Sequence, residues 1–412
     1  MRSALAPLIT LLLASPALAQ LAVLGDHVHT MSDPGVITQG VVLINPQGKI
    51  ERVGPASEVP VPEGWKTLKA AVVVPGLIDA RSSVGLSGIL NQRQDQDQLE
   101  TSAAIQPELR AIDAYNPNDP LVEWVRSFGV TTLHTGHAPG ELISGQTCLV
   151  KTSGKTVEES VLRETAALAA TLGDGARRDN SPGTRAKMVS MLREQFIKAQ
   201  EYQRTREKAA PDAAKPSSDK PALPPARDLR MEALCLALSR EIPLMVNAQR
   251  AQDISAALRL AGEFNLRLIL EGGSESYLLT DALKAGQVPV LVHPPMARAY
   301  GELENASMST PRTLHDAGIT VAFQAGFEGY VPKTRVVLFE AAIAVRHGMA
   351  PEDALASLTV VPARILGIAD RVGSIAPGLD ADLALFDGDP FEYTTHCVGT
   401  VIDGKPFAGP PR

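Results

Sequence analysis

The sequence predicts a mixed α/β protein, with a parallel α/β barrel and a small β-structure made from both ends of the chain. Short strand patterns separated by turn residues follow residue 20 and recur near the C-terminus. Between these two regions, short apolar runs alternate with helical patterns, as is typical of parallel strands joined by helices. The 412 residues suffice for one barrel-sized domain or for two ordinary domains.

The net charge and the hydropathy of the sequence argue against nucleic acid as a partner and against a transmembrane segment. The net charge is -7, so the chain has no basic surplus with which to neutralise the phosphates of a nucleic acid. After the first twenty residues, no segment is apolar for long enough to form a transmembrane helix. We therefore expect neither nucleic acid nor a transmembrane segment. A small-molecule ligand is a possible partner, and oligomerisation stays open.

Residues 1–19 have the pattern of a signal peptide. Arg2 gives a positive start, residues 4–14 form a short apolar run, and Ala17-Leu18-Ala19 matches the small residues that precede a cleavage site. No cysteine follows that could carry a lipid anchor. The sequence thus predicts cleavage after Ala19 and a periplasmic or secreted mature protein that begins at Gln20.

The two ends of the mature chain are predicted to form one small β-domain. Turn residues separate short apolar runs near the start, and the turn Asp403-Gly404 follows a similar run near the end. The predicted strands are residues 21–24, 41–44 and 49–53 near the start and residues 384–386 and 398–402 near the end. The composite domain is assigned to residues 20–70 with 368–412.

The middle of the chain, residues 71–367, is assigned to the barrel. A doubly wound sheet is the alternative, but no G-x-G-x-x-G sequence follows an early strand. The predicted strands include residues 72–74, 244–246, 267–270 and 288–292, and the predicted helices include residues 187–202, 251–264 and 276–285. Residues 205–228 are rich in Ala, Pro, Lys and Ser, which predicts a flexible surface insertion.

The three cysteines do not form a disulfide framework. Cys148, Cys235 and Cys397 are widely spaced, and no pair has the spacing of metal ligands. One disulfide is possible in an oxidising compartment, and the sequence does not assign the pair. We interpret the three residues as buried small apolar side chains.

Three strings resemble sequences of the metal-dependent amidohydrolase family. Residues 74–79 read VPGLID, residues 358–367 read LTVVPARILG, and residues 373–383 read GSIAPGLDADL. In that family such strings mark the start of the barrel, its end, and the return to the small domain. The resemblance is strongest to the imidazolonepropionase-like and prolidase-like branch and covers essentially the whole mature chain. It implies a metal-hydrolase-type (β/α)8 TIM barrel plus a small β-sandwich domain built from both chain ends.

The resemblance also implies a metal site. Family members hold one or two divalent metals, usually zinc, at the C-terminal ends of the barrel strands. Such a metal lowers the pKa of a bound water and polarises the scissile carbonyl. The family ligands are an H-x-H pair on the first strand, a carboxylated Lys or a Glu in mid-barrel, a His on each of the fifth and sixth strands, and an Asp on the eighth.

In this sequence those positions carry other residues. Arg81 and Ser83 replace the H-x-H pair, Asn247 stands on the fifth strand, Gly272 on the sixth and Gly326 on the eighth. The permanent charge of Arg81 would repel a metal ion. The alignment therefore predicts that no metal cofactor is bound.

Other polar residues are candidates for a pocket at the same end of the barrel. His134 and His137 follow the predicted strand 129–133, and His293 closes the strand 288–292. Their role stays open between ligand binding or acid–base work and loop hydrogen bonding. Glu271 and Glu275, near the sixth strand, and the mid-barrel Asp174 are candidate partners for Arg81. We interpret the pair His27 and His29 as structural, on one face of the first strand.

Two interpretations of function remain. In the first, the protein is catalytically inactive as a metal hydrolase, a pseudoenzyme that binds a small-molecule ligand or an active homologous subunit. In the second, it is a hydrolase of C–N bonds other than ordinary peptide bonds, acting on a cyclic amide or a dipeptide-like substrate.

Overall fold

The structure is a computed structural model that describes residues 20–90, 92–213, 226–327 and 336–409, with the backbone alone for residues 209–213. The predicted signal peptide, residues 1–19, lies outside the described residues. So does the central part of the predicted insertion, residues 214–225.

Seventeen strands and ten α-helices lie in the described part of the chain. The strands are β1 (Leu21–His29), β2 (Val36–Ile44), β3 (Ile50–Pro55), β4 (Lys66–Pro75), β5 (Leu77–Ser82), β6 (Val130–Thr135), β7 (Gly145–Gln146), β8 (Cys148–Lys151), β9 (Val161–Arg163), β10 (Leu168–Thr171), β11 (Leu244–Ala248), β12 (Leu268–Gly272), β13 (Val290–Val292), β14 (Val321–Phe323), β15 (Leu383–Phe386), β16 (Cys397–Ile402) and β17 (Lys405–Ala408). The helices are α1 (Pro120–Arg126), α2 (Val157–Ser160), α3 (Arg185–Ala213), α4 (Leu229–Leu238), α5 (Ala251–Phe264), α6 (Thr280–Ala285), α7 (Thr310–Asp316), α8 (Val337–Arg346), α9 (Pro351–Ala356) and α10 (Val360–Ile365).

Both chain ends contribute to one seven-stranded sheet. Its order is β17-β16-β15-β4-β1-β2-β3, so that β4 is parallel to β1 and antiparallel to β15. The strands expected near both ends are confirmed and are mostly longer than predicted. The run 72–74, which the sequence assigns to the middle of the chain, belongs instead to β4 of this sheet. Separate apolar clusters, which include Val23 and Leu43 respectively, pack on its two faces.

The central strands form two further sheets. One has the order β14-β13-β12-β11-β10-β7, with β10 to β14 parallel to one another, and the other has the order β5-β6-β8-β9. Strands β7 and β8 follow each other directly and connect the sheets, because β7 pairs with β10 and β8 pairs with β6. A parallel bridge between Ser82 and Gly326 links the end of β5 to the chain after β14.

The pairings therefore follow one another from β5 to β14 and back to β5, as a barrel requires. The ring differs from the predicted all-parallel barrel at one strand position. The β7–β8 segment runs antiparallel to β6 and β10, so this position in the ring is not held by a parallel strand. The mixed α/β class is confirmed, while the (β/α)8 barrel and the domain limits stay predictions.

Successive side chains along these strands point to opposite sides of the sheet. They therefore form two apolar cores, one inside the ring of strands and one between the strands and the helices. Seven residues, nearly all from β5 and β10 to β14, form an inner cluster: Ala80, Ala167, Ala169, Met245, Ile269, Leu291 and Ala322. Their neighbours Val246, Leu270 and Phe323 point the other way, into the large cluster shared with the helices. Because successive strand residues face opposite sides, each residue two positions beyond an inner-cluster member also faces inward.

The helices agree with the helical patterns in position. Helix α5 has the predicted limits, and Asn265, with φ of 52°, ends it in the left-handed conformation common at helix C-termini. Helix α3 extends beyond the predicted end at residue 202, so residues 205–213 are helical and the predicted insertion begins later than expected. No helix among the described residues is long and apolar enough to cross a membrane.

The cysteines are free in the structure. Cys148 and Cys397 are buried, Cys235 is half-buried, and none of the three pairs with another. The interpretation of buried apolar side chains therefore holds for Cys148 and Cys397.

Candidate functional site

Four polar side chains face inward at the C-terminal ends of neighbouring strands. Asn247, Glu271, His293 and Gln324 each follow an inner-cluster residue of β11 to β14 by two positions. The parallel register sets Asn247 opposite Glu271. All four line a cavity of about 190 Å3, together with Gln249, Gly272, Pro294 and Gly326. The structure thus brings five predicted site residues to one place: Asn247, Glu271, Gly272, His293 and Gly326.

Arg81 lies beside this cavity with its side chain buried. Its exposed fraction is 2%. Nη1 donates to the Ser82 carbonyl at 2.9 Å and Nη2 donates to the His137 carbonyl. Nε faces Glu271 Oε2 at 3.4 Å, and the Glu271 side chain is also buried. The structure therefore places the cation of Arg81 against Glu271, one of the three partners considered from the sequence.

Asp79 is a buried carboxyl that the sequence analysis did not single out. Its Oδ1 accepts hydrogen bonds from the backbone N–H groups of Ala325 at 2.9 Å and Arg81 at 3.2 Å. Oδ2 has no hydrogen-bond partner among the described residues. Burial raises the pKa of the Asp79 carboxyl to about 7, because the two backbone hydrogen bonds and the charge of Arg81 offset only part of the lost hydration.

His134 is a structural residue rather than part of the cavity. It lies within β6 instead of following the strand, and Nδ1 donates to the Ala80 carbonyl at 2.7 Å. The Thr147 hydroxyl lies 2.7 Å from Nε2 and donates to it. Burial, with the nearby charge of Arg81, lowers the pKa of His134 to about 3, so the ring is neutral. Both ring nitrogens are occupied within the fold, which agrees with hydrogen bonding, one of the two roles that the sequence left open.

His137 and Ser83 also lie outside the cavity lining. The His137 ring packs against Gly145, where an added Cβ would lie 2.8 Å from Nε2. Burial and the charge of Arg81 lower the pKa of His137 to about 4. Ser83 is buried, with its Oγ 3.1 Å from the hydroxyl of Ser87. Neither side chain is positioned to contact a ligand in the cavity.

Asp174 is not a partner of Arg81. It lies in a 3-10 turn after β10, with an exposed side chain that faces Arg177 Nε at 3.5 Å. Of the candidate partners of Arg81, Asp174 therefore lies away from the guanidinium.

His27 and His29 lie far along the chain from these residues, on β1. As predicted, they share one face, and they line a separate groove with Glu352 and Asp389. Burial lowers the pKa of His29, and the charge of His27 adds to that effect.

Gln249 occupies the space beside Gly272. Gly272 has a φ of 88°, and an added Cβ would lie 2.8 Å from the side-chain Cδ of Gln249. The Gln249 Oε1 accepts hydrogen bonds from the Ser274 hydroxyl at 3.0 Å and from its N–H at 3.2 Å. The amide is therefore fixed by Ser274 in the position where a side chain at residue 272 would begin.

The side chains at these strand ends do not fit a divalent metal. A guanidinium, a hydroxyl, one amide and two glycines stand where the resemblance places ligands. Among the described residues of the cavity lining, only Glu271 and His293 are of the Asp, Glu, His or Cys types that commonly bind a metal. Across the described ranges, no three His, Cys, Asp or Glu side chains are grouped so as to hold a metal ion. The expectation that the protein binds no metal stays a prediction.

Sequence analysis missed several residues of the cavity lining, among them the polar residues Gln249, Arg298, Tyr300 and Gln324. Gln324 could have been found from the alternation of side chains along a strand. It stands two positions after the inward-facing Ala322, just as His293 stands two positions after Leu291. Gln249 lies beyond the end of β11, where no strand period applies.

Comparisons with known proteins agree on one family. Residues 253–407 match the sequence profile of the Amidohydrolase family. An amidohydrolase from Thermotoga maritima is 30% identical, with a TM-score of 0.85 over 94% of this chain and 100% of that one. The imidazolonepropionase of Paracoccus denitrificans is 25% identical, over 86% of this chain and 89% of that protein. The amidohydrolase tasK of Hapsidospora irregularis is 27% identical over 86% of this chain, which spans only 38% of that protein's length.

Proposed function

This chain belongs to the amidohydrolase family, and we propose that it works as a metal-independent, ligand-binding member of that family. Its ligand site is the cavity lined by Asn247, Glu271, His293 and Gln324.

The observation that carries this proposal is the buried pair of Arg81 and Glu271. A divalent ion about 4 Å from the guanidinium would be repelled by about 8 kcal/mol at an effective dielectric constant of about 20. The same guanidinium already pairs with Glu271, the one carboxylate among the described residues of the lining. A metal in the cavity would therefore be repelled by Arg81, and the described lining has no unpaired carboxylate to offset that repulsion.

The cavity itself supports binding as the retained function. Polar side chains line it on four adjacent strands, and a site used only for packing would be filled by apolar groups. A small molecule held there would contact the same strand ends that hold substrates in parallel α/β barrels.

Metal analysis of the purified protein tests the proposal. Cells are grown with added zinc, manganese and iron, and the protein is purified without chelators and analysed by plasma mass spectrometry. We expect far less than one equivalent of any of these metals. An amidohydrolase that keeps the H-x-H pair is the positive control, and close to one equivalent per chain in our protein would refute the proposal.

A second candidate function is hydrolysis of a C–N bond in a cyclic amide or a dipeptide-like substrate. The match to an imidazolonepropionase favours it, and the neutral ring of His293 is the group in the cavity suited to act as a general base. Turnover that persists in a chelator and is lost in His293→Phe would support this candidate over the first.

A further inference from the structure

A groove at the N-terminal ends of the central strands contains arginines without carboxylate partners. The groove has a volume of about 410 Å3 and lies beside the starts of β12 and β13, at the end of these strands opposite to the cavity lined by Glu271. Arg240 and Arg267 are the charged side chains among the described residues of its lining. A ligand could reach both, because Arg240 is exposed and Arg267 is half-buried.

Backbone carbonyls at helix ends hold Arg240 and a neighbouring arginine, Arg163. Arg240 Nη1 donates to the carbonyl of Asn265, the residue that ends α5, at 3.0 Å. Arg163 donates from Nη1 to the Leu366 carbonyl at 3.0 Å and from Nη2 to the Gly367 carbonyl at 2.6 Å, just after α10. Helix C-termini carry a partial negative charge, which accounts for the positions of these two arginines. Each guanidinium has five N–H donors, so donors remain for a ligand.

Helix ends do not account for Arg267. Its Nη1 lies 3.5 Å from the Arg240 carbonyl, which is at the outer limit of a hydrogen bond. Burial lowers the pKa of the Arg267 guanidinium, and the charges of Arg240 and Arg163 lower it further. Among the described residues, no carboxylate pairs with any of the three arginines. The groove therefore concentrates uncompensated positive charge in a chain whose net charge is -7.

This charge favours an anion with two negative charges on one group. Guanidinium groups bind phosphate and carboxylate oxygens through paired N–H donors. Two cations in the lining and a third beside it leave a monoanion with less charge than the site can compensate. A phosphate monoester suits the site because its three terminal oxygens can accept from several guanidinium groups at once.

The remainder of the groove sets the rest of the ligand. A cavity of 150 Å3 engineered in another protein binds benzene, so about 410 Å3 holds a ring together with a phosphate group. Apolar side chains make up much of the lining: Leu258, Leu266, Ile269, Val288, Pro289 and Ile365. The ligand can therefore carry an apolar body beside its anionic group.

We propose that this groove is a second ligand site, which binds a small phosphate monoester with its phosphate on Arg240 and Arg267 and its apolar part against the neighbouring side chains. The site is separate from the cavity of the proposed function, since the two lie at opposite ends of the same strands. Success or failure at one site therefore decides nothing about the other.

Two probes of the same shape and different charge test the proposal. Binding of phenyl phosphate and phenyl sulfate to the purified protein is measured by titration calorimetry at about pH 8, where a phosphate monoester carries close to two negative charges and a sulfate ester carries one. We expect the phosphate to bind at least about tenfold more tightly, which corresponds to about 1.4 kcal/mol. The preference should shrink at high salt, because ions screen exposed charges. Inorganic phosphate, which lacks the ring, should bind more weakly than phenyl phosphate.

Variants assign the preference to the groove. Arg267→Met removes one guanidinium and should abolish most of the preference for phenyl phosphate. Arg346→Met is the matched control, because Arg346 is exposed and does not line the groove, and it should keep the full preference. Arg240→Met gives a second, independent loss of charge if Arg267→Met does not fold, as judged by circular dichroism.

Unfolding without ligand separates a binding role of Arg267 from a structural one. Removing a half-buried charge from beside two like charges should leave the urea midpoint of Arg267→Met equal to that of the wild type or above it. A clearly lower midpoint would show that Arg267 supports the fold and would contradict the proposal.

The binding data can overturn the proposal in three further ways. Equal affinity for the two phenyl esters, or no binding of phenyl phosphate, would exclude a site for a dianion. A preference that survives both Arg267→Met and Arg240→Met would place the site elsewhere. Inorganic phosphate that binds as tightly as phenyl phosphate would contradict the role given to the apolar lining.

Discussion

The Nε of Arg81 lies 3.4 Å from Oε2 of Glu271 although their strands are not neighbours. Strand β5 pairs with β6 and meets the chain after β14, whereas β12 pairs with β11 and β13. The ion pair therefore crosses the interior of the ring and connects strands from its two sheets. Arg81 also donates to the His137 carbonyl after β6, so three parts of the ring meet at one guanidinium.

Replacing Arg81 by Met should destabilise the protein strongly. Glu271 would remain buried without its counter-charge, and breaking a buried pair from one side costs about 3–5 kcal/mol. The measurement is urea unfolding followed by circular dichroism. The double variant Arg81→Met with Glu271→Leu should recover a large part of the loss, because it removes the stranded charge. If Arg81→Met unfolds at the wild-type urea concentration, the pair contributes nothing and Arg81 does not hold the site together.

Asp79 should make stability depend on pH between about 4 and 7. Its folded pKa of about 7 is above the reference value of 3.8, so the folded state binds the proton more tightly than the unfolded state does. Its stabilising contribution is complete below the unfolded pKa and is lost as the pH rises through the folded pKa. The loss is at most about 1.4 kcal/mol per pH unit.

The variant Asp79→Asn isolates this effect. Asp382 also has a raised pKa because of burial, and it is present in both proteins, so the difference between wild type and variant reports Asp79 alone. We expect the difference in unfolding free energy to change steadily between about pH 4 and pH 7, the wild type losing stability relative to the variant. Parallel curves over that window would show that Asp79 does not titrate there.

Gly272 should not tolerate even a methyl group. Gly272→Ala introduces a Cβ 2.8 Å from the Gln249 Cδ, which is a steric clash. The φ of 88° at this residue is also unfavourable for any residue with a Cβ. We expect a loss of more than about 1 kcal/mol in urea unfolding. Gly262→Ala is the matched control, since Gly262 lies in α5 and nothing stands within 4 Å of an added Cβ. The control should gain about 0.5–1 kcal/mol through helix propensity, and a Gly272→Ala protein as stable as wild type would show that Gln249 moves aside freely.

The first nineteen residues should be removed during export. In the native host we expect protein outside the cytoplasm whose N-terminus, read by mass spectrometry, is Gln20. Ala19→Arg places a large charge at the cleavage site and should leave a longer, uncut chain. Wild-type protein recovered from the cytoplasm with Met1 intact would contradict the interpretation of residues 1–19 as a signal peptide.

The sequence predicted most of the elements because their signals are local. The apolar and polar pattern of residues 251–264 sets both limits of α5, and turn residues bracket the strands at both ends of the chain. The antiparallel β7–β8 segment was missed because the direction of a short buried strand depends on its neighbours in space. The end of α3 was missed because helix-forming residues continue past the last apolar position.

The resemblance to the family's ligand positions predicted Asn247, Gly272 and Gly326, and all three line the cavity. Asn247, Glu271 and His293 were found at strand ends, and they do meet around one cavity. His134, His137 and Asp174 were also placed at strand ends, but their side chains point elsewhere, and sequence position does not give side-chain direction beyond a strand. The raised pKa of Asp79 follows from its burial, which only the folded structure reveals.

The seven-stranded sheet has a consequence for the order in which the chain can fold. Strand β4 needs β15 as its second neighbour, and the whole stretch from Gly76 to Asp382 is synthesised between them. At about 5–20 residues per second, the ribosome leaves one edge of β4 without hydrogen-bond partners for tens of seconds. An open strand edge invites pairing with other chains. The nascent protein therefore has a period of vulnerability to aggregation that ends only when β15 emerges, and holding the chain unfolded until synthesis is complete would avoid it.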